Sequence, residues 1–307
     1  MNINLTGGFI LQKGIVISNI SNLYKVEVNG KIYDCNARGK FKNNQISPVA
    51  GDLVELEIID EMKNTGVINK IYDRINYLKR PKMANLEQII LVVSMKLPKP
   101  DLELLDKQLA YSEYMKIKPI ICLNKIDLED EEYIKNISGV YEKIGYTVIK
   151  TNAKSGIGIE KIREELVGKI TAFSGNSGVG KSTLINSLLG ESVTEEGIVS
   201  HRNKRGKNTT TQVKLYKIAE NSYIADTPGF STFDINEIKK EDLASYFIEF
   251  RPYIGECEYV DCSHIKEKNC EIKKAVEEGK ISKERYERYQ VLWRQLIEFE
   301  RREDKFK

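Results

Sequence analysis

The run Gly175-Asn176-Ser177-Gly178-Val179-Gly180-Lys181-Ser182 carries the plainest chemistry in this sequence. Glycines at this spacing let main-chain N–H groups converge on phosphate oxygens, and a helix starting just after them adds its positive end. Lys181 then reaches the β- and γ-phosphates, and the Ser182 hydroxyl ligates Mg²⁺. The apolar strand Ile170-Thr171-Ala172-Phe173-Ser174 precedes the run, and Thr183 to Leu189 reads as the helix that follows. A nucleoside-phosphate loop over Gly175–Thr183 is predicted, with a plain glycine-rich turn as the alternative.

The base is addressed by Asn124-Lys125-Ile126-Asp127, directly after the apolar strand Pro119-Ile120-Ile121-Cys122-Leu123. Guanine presents N1–H and an exocyclic amine as adjacent donors, whereas adenine presents an acceptor at N1. A carboxylate accepts both guanine donors and repels adenine's lone pair. Asp127 fits that role, with Asn124 on the base edge and the Lys125 stem along the ring face. Thr151-Asn152-Ala153-Lys154 follows another strand and is similar to the GTPase SAK element, with Asn152 where serine is usual. There the Ala153 N–H is expected to face guanine O6; a helix N-cap is the alternative. GTP is the expected nucleotide. Because the base motif precedes the phosphate loop, the nucleotide domain is circularly permuted.

Asp226-Thr227-Pro228-Gly229 follows the strand Ser222-Tyr223-Ile224-Ala225. Asp226 is expected to bind Mg²⁺ through water, and the Gly229 N–H to contact the γ-phosphate. Phe230 stands where Ras-like proteins carry the glutamine that orients the attacking water, and it has no hydrogen-bonding group. Slow intrinsic hydrolysis that depends on an outside group is inferred. The polar stretch between Gly190 and Gln212 is long enough to be functional. It ends in Asn208-Thr209-Thr210-Thr211, of which Thr210 is expected to close over Mg²⁺. His201, Arg202, Lys204, Arg205 and Lys207 form a basic cluster on this switch, placed for RNA contact or simply solvated.

Cys257-x₄-Cys262-x-His264-x₅-Cys270 gathers three of the five cysteines and one of the two histidines. Three thiolates and an imidazole make a closed tetrahedral Zn²⁺ site, structural because no position stays open for water. Unrelated buried cysteines are the other reading. Cys35 and Cys122 lie in predicted strands and read as core residues.

These groups need elements to hold them. Residues 1–73 read as about five short strands, including 8–17, 53–60 and 65–72, with Asn29-Gly30 as a type I′ turn. A small OB-type barrel is the natural closure. Its loop Arg38-Gly39-Lys40-Phe41-Lys42 is an RNA contact or a solvated hairpin tip. From 74 to 237, strands at 88–94, 118–123, 147–150, 170–174, 213–219 and 222–225 alternate with helices near 102–116, 131–144 and 159–168, the pattern of an α/β domain. Residues 238–307 read as helical and cysteine-bearing, ending in a helix from 282 to about 302 whose Tyr286, Tyr289, Trp293, Leu296 and Phe299 form a packing stripe.

Bulk properties narrow the class. With 41% hydrophobic and 30% charged residues and a net charge of +3, the 307 residues describe a globular chain that global charge does not mark as a nucleic-acid binder. The longest apolar run, Ile89 to Val93, is too short to cross a bilayer. The opening MNINLTGGFILQ lacks the pattern of a secretory signal. A cytoplasmic protein is expected, with no membrane partner.

The barrel, the early NKxD, the DTPG switch followed by Phe230 and the Cys₃His knuckle together resemble the ribosome small-subunit-dependent GTPase A family. Arg80-Pro81, Asn85 and the run Tyr286 to Tyr289 extend the resemblance over nearly the whole chain. It implies a late-acting assembly factor that contacts small-subunit rRNA with all three domains and hydrolyses GTP when the ribosome stimulates it; a monomer is expected. Family members commonly carry a histidine just before the threonine run. Asn208 stands there instead, and an amide orients water but takes no proton near neutral pH. The water-positioning group is therefore open among Asn208, Gln212 and a ribosomal group. A GTP-gated RNA-binding module with incidental hydrolysis is the alternative function, and a generic ATP-using P-loop enzyme a third.

Overall fold

A computed structural model describes residues 5–6, 9–20, 22–39, 47–190, 213–226 and 235–304. The first strands are β1 (Leu5–Thr6), β2 (Phe9–Ile20), β3 (Leu23–Val28), β4 (Lys31–Ala37), β5 (Leu53–Asp60) and β6 (Thr65–Ile71), followed by β7 (Tyr77–Lys79) and β8 (Lys82–Ala84). Then come β9 (Gln88–Ser94), α1 (Leu102–Tyr114), β10 (Lys118–Asn124), α2 (Glu131–Ile144), β11 (Thr147–Thr151), α3 (Ile159–Leu166), β12 (Ile170–Ser174), α4 (Lys181–Leu189), β13 (Lys214–Ala219) and β14 (Ser222–Asp226). Two 3₁₀ segments (Lys240–Tyr246 and Ile248–Tyr253) lead to α5 (Glu271–Glu277) and α6 (Lys283–Asp304). By contacts the chain forms two compact units.

The first unit comprises residues 1–89, 160–173 and 182–230. Its β2 pairs with β3 and, through Leu11↔Glu57 to Ile15↔Leu53, with β5, while β3–β4, β4–β6 and β5–β6 complete a closed five-stranded barrel. Alternation in β3 sends Tyr24, Val26 and Val28 inward to meet Val16, Tyr33, Cys35, Val54, Leu56 and Ile68. Asn29 (φ 49°) and Gly30 (φ 84°) make the left-handed turn their dipeptide predicts. In the same unit β12 runs parallel to β14, β14 antiparallel to β13, and Lys214 of β13 pairs with Ser18 of the barrel.

The second unit comprises residues 90–159, 174–181 and 231–307. Here β10 runs parallel to β11, from Ile120↔Thr147 to Asn124↔Thr151. Asp101 caps α1, accepting from Leu104 N, and α2 ends at Gly145 (φ 109°). A core of Phe247, Phe250, Tyr286 and Tyr289 packs ring on ring where α6 meets the 3₁₀ segments. Tyr286, Tyr289 and Leu296 of the expected stripe are buried.

Two expectations shift. Residues after 238 open in 3₁₀ segments, one containing Pro252, which supplies no N–H for an α-helix. The β7–β8 hairpin was not expected, because three-residue strands are too short to show alternation.

Candidate nucleotide site and metal centre

Buried β12 delivers the chain into Gly175, whose φ is +143° and whose added Cβ would lie 2.3 Å from the Val92 carbonyl oxygen. At Gly180 (φ +103°) an added Cβ would lie 2.2 Å from Asn124 Nδ2. Both positions need glycine, on backbone grounds and on space. Ser177 and Gly178 are exposed at the crown of the loop. Lys181 Nζ donates to the carbonyls of Gly175 (2.5 Å) and Asn176 (2.8 Å), so it arches over the loop. The buried Val179 anchors the far side, and Ser182 and Thr183 continue into the first turn of α4.

The base motif meets this loop from the end of β10. Asn124 is 1% exposed, and its amide joins three segments. Nδ2 donates to Val179 O at 2.9 Å, while Oδ1 accepts from Thr151 Oγ1 at 3.0 Å and Ala153 N at 3.2 Å. Lys125 takes a left-handed conformation (φ 63°) and its ammonium donates to Gly178 O (2.6 Å) and to Leu97 O. Asp127 sits exposed in the 3₁₀ turn Ile126–Leu128, where its carboxylate is open to a ligand. Asn152 Oδ1 accepts from Lys154 N (3.1 Å) and Ser155 N (3.3 Å), folding the Ala153–Lys154 turn beside Asn124.

Asp226 ends β14 and is 6% exposed. The register Ala172↔Ala225 puts the C-terminal ends of β12 and β14 level, the edge where open α/β sheets bind ligands. Asn208, Thr210, Gln212, Gly229 and Phe230 lie outside the described residues, as do His201 to Lys207 and Lys40 to Lys42.

The ligand atoms of Cys257, Cys262, His264 and Cys270 lie within 4.8 Å of one another. Cys257 Sγ is 3.9 Å from Cys270 Sγ, and His264 Nδ1 is 3.6 Å and 3.4 Å from these two sulfurs. A tetrahedron with Zn–S of about 2.3 Å has S–S edges of about 3.8 Å, so the cluster fits a zinc ion with Nδ1 as the nitrogen donor. Burial holds the His264 imidazole below its ordinary value and so neutral, the form that ligates metal. The knuckle is braced from outside. Tyr286 OH donates to His264 O (2.7 Å) and Tyr289 OH to Ser263 O (2.9 Å). Glu267 accepts from Ser263 N, Ser263 Oγ, Ile265 N and Lys266 N. Burial opposes its charge, yet these hydrogen bonds hold its carboxyl down at about 2. Cys35 and Cys122 sit elsewhere in strands, where burial pushes both thiols up to about 12 and leaves them inert.

Several residues around the site gave no signal as separate letters. Asp101 Oδ2 accepts from Asn176 Nδ2 at 2.9 Å, and Gln108 Nε2 donates to Ser174 Oγ at 2.9 Å. On another side of α1, Asp106 accepts from Arg285, Arg288 and the Tyr141 hydroxyl, and Arg285 also pairs with Glu249. Aspartate before a helix and charges on one are ordinary, so only their partners distinguish them.

The family model of the RsgA GTPase matches residues 71–236, and that of the RsgA N-terminal domain residues 13–68. The chain belongs to the RsgA GTPase family. It is 45% identical over 277 residues to a small ribosomal subunit biogenesis GTPase RsgA of Clostridium acetobutylicum, covering 90% of this chain and 95% of that protein. The crystal structure of YjeQ from Thermotoga maritima superposes with a TM-score of 0.79 at 36% identity, over 94% of this chain and 99% of the other. That of YloQ, described as a circularly permuted GTPase, gives 0.79 at 31% identity over 94% and 96%. The fold is accordingly an α/β P-loop GTPase domain in permuted order, with an N-terminal OB-type barrel and a C-terminal Cys₃His region. Membership of a GTPase family implies GTP and Mg²⁺ in general.

Proposed function

We propose that the chain is a GTP hydrolase that binds the small ribosomal subunit and assists its late maturation, turning over GTP when the ribosome stimulates it. One observation supports this above the others: the Asn124–Val179 hydrogen bond sets a guanine-reading motif against a phosphate loop. The relatives' name, small ribosomal subunit biogenesis GTPase, supplies the partner.

In this reading the main-chain N–H groups of Gly175 to Thr183 and the Lys181 ammonium bind the phosphates. Asp127 selects guanine, the Lys125 stem covers the ring, and the turn at Ala153 and Lys154 closes the base side. Asn124, its amide engaged by the protein, holds these loops in register. Ser182, Thr210 and Asp226 would hold Mg²⁺, which supplies charge neutralisation on the β- and γ-phosphates. Gly229 reports the γ-phosphate, and Asn208 orients water without removing its proton. Phe230 offers no hydrogen bond, so a ribosomal group completes the catalytic set. The work divides among a barrel (1–73), a GTPase domain (74–237) and a zinc-knuckle domain (238–307) that together meet rRNA. Cys257, Cys262, His264 and Cys270 hold one structural Zn²⁺. The protein acts as a monomer in the cytoplasm; no helix among the described residues is long and apolar enough to cross a membrane.

Purified protein should hydrolyse GTP slowly and accelerate on adding small subunits but not large ones. Equal rates under all three conditions would remove the proposal.

A further inference from the structure

We propose that Asp101 is a positioning residue of the phosphate loop: it holds Asn176, and so fixes the first half of the loop against α1. The inference rests on reading residues 175–182 as the phosphate site, and extends that reading to a residue 75 positions away from its partner.

The Asp101 carboxylate has two oxygens in two different uses. Oδ1 accepts from Leu104 N at 2.9 Å and caps α1. Oδ2 accepts from Asn176 Nδ2, also at 2.9 Å. A helix cap needs only one acceptor, which serine or asparagine provides as well as aspartate. The second oxygen is therefore surplus to the helix, and its donor is a loop side chain.

The rest of the loop shows what this contact adds. Gly178 and Val179 are held through their carbonyls by Lys125 and Asn124. The Ser174 and Asn176 side chains are engaged from α1 and its cap, through Gln108 on Ser174 and Asp101 on Asn176. The Gly175 and Asn176 carbonyls are also the ones that accept from Lys181. Fixing Asn176 thus fixes the peptide groups over which the phosphate-binding lysine arches.

Charge argues in the opposite direction, which makes the inference testable by sign. A carboxylate beside an anion site repels the anion, so by electrostatics alone its removal tightens nucleotide binding. By positioning, its removal weakens binding.

The experiment uses the full chain in four forms: wild type, Asp101→Ser, Asn176→Ala and the double variant, with GDP affinity read by fluorescence. Each single variant should bind GDP about fivefold more weakly, the range of one lost hydrogen bond. The double variant should also lose about fivefold, not about 25-fold, because both changes remove the same contact. KM for GTP should rise with kcat within about twofold, the mark of lost ground-state binding. Serine keeps the cap, so the melting temperature should stay within about 3 °C of wild type.

Unchanged or tighter GDP binding by Asp101→Ser would overturn the inference, as would a multiplicative double variant. A large melting shift with unchanged affinity would assign Asp101 to the helix alone and also overturn it. Lys181→Ala separates the two levels. If that variant binds GDP normally, the phosphate-site reading fails; if it is weakened while Asp101→Ser is not, only the role of Asp101 fails.

Discussion

The Arg285 guanidinium of α6 donates to the Asp106 carboxylate of α1 where both side chains are shut off from solvent, 1% and 0% exposed. Burial works against the charge on Arg285, but Asp106 and Glu249 outweigh it and keep the guanidinium protonated. Arg288 and the Tyr141 hydroxyl complete the coordination of Asp106. The C-terminal helix is thus fastened to α1 by a buried ionic cluster in which Arg285 bridges Asp106 of α1 and Glu249 of the second 3₁₀ segment.

Removing one side of a buried ionic cluster leaves uncompensated charge, at a cost of about 3–5 kcal/mol. Asp106→Asn should lower stability by that order in denaturant unfolding. Glu113→Gln, which breaks the half-exposed pair with Arg251, should cost less than about 1 kcal/mol. Similar losses in the two variants would mean that the buried cluster adds no more than a surface pair.

Asp127→Ala should abolish the preference for guanine. Two hydrogen bonds to a carboxylate at about 1.5–3 kcal/mol each correspond to a loss of at least about a hundredfold in GTP-over-ATP selectivity. Nucleotide competition on wild type and variant measures this directly. Selectivity that survives the change would move guanine recognition to another residue.

The four ligands, whose donor atoms lie within 4.8 Å of one another, should bring one zinc per chain, measurable by elemental analysis. Chelation should raise hydrogen exchange over residues 257–281 and leave the barrel strands protected, because the zinc and the knuckle fold together. Full protection of the knuckle after metal removal would show that Glu267 and the two tyrosines suffice.

Glu27 links the barrel to β13 and β14, accepting from Lys217 Nζ (2.7 Å), the Tyr223 hydroxyl and Gly30 N (2.8 Å). Burial raises its pKa, but these three partners more than offset that and leave it below the ordinary 4.5. Its stabilising contribution is therefore complete above about 4.5 and is lost as pH falls below that value. Melting temperature should drop more steeply for wild type than for Glu27→Gln as pH falls from about 5 towards 3. Parallel curves would show that Glu27 is not responsible.

The parts of this protein that its sequence discloses are those whose chemistry is written in adjacent residues. A phosphate loop must be built from consecutive main-chain groups, so Gly175 to Ser182 was legible, as were the knuckle and the Asn29-Gly30 turn. The order of the two nucleotide motifs disclosed the permutation. Pairings across the chain left no such trace. Asp106 and Arg285 are 179 positions apart, and Glu27 and Tyr223 are 196 apart. Each looks locally like a charge on a helix or an acid on a strand. The role drawn for Asn124 at the base edge also changes in emphasis, since its amide is occupied by Val179, Thr151 and Ala153. That use depends on which strands become neighbours, and no spacing rule contains it.

The Asn124–Val179 hydrogen bond also sets a timetable. The two residues are 55 positions apart, with Asn124 made first. At about 5–20 residues per second, Val179 leaves the synthesising ribosome about 3 to 11 s after Asn124. Through that interval Asn124 Nδ2 lacks the Val179 carbonyl, while Oδ1 meets its donors earlier, since Thr151 and Ala153 follow Asn124 by 27 and 29 positions. The contact between the end of β10 and the loop at 175–182 is therefore completed by the arrival of the loop, the reverse of the birth order in an unpermuted GTPase.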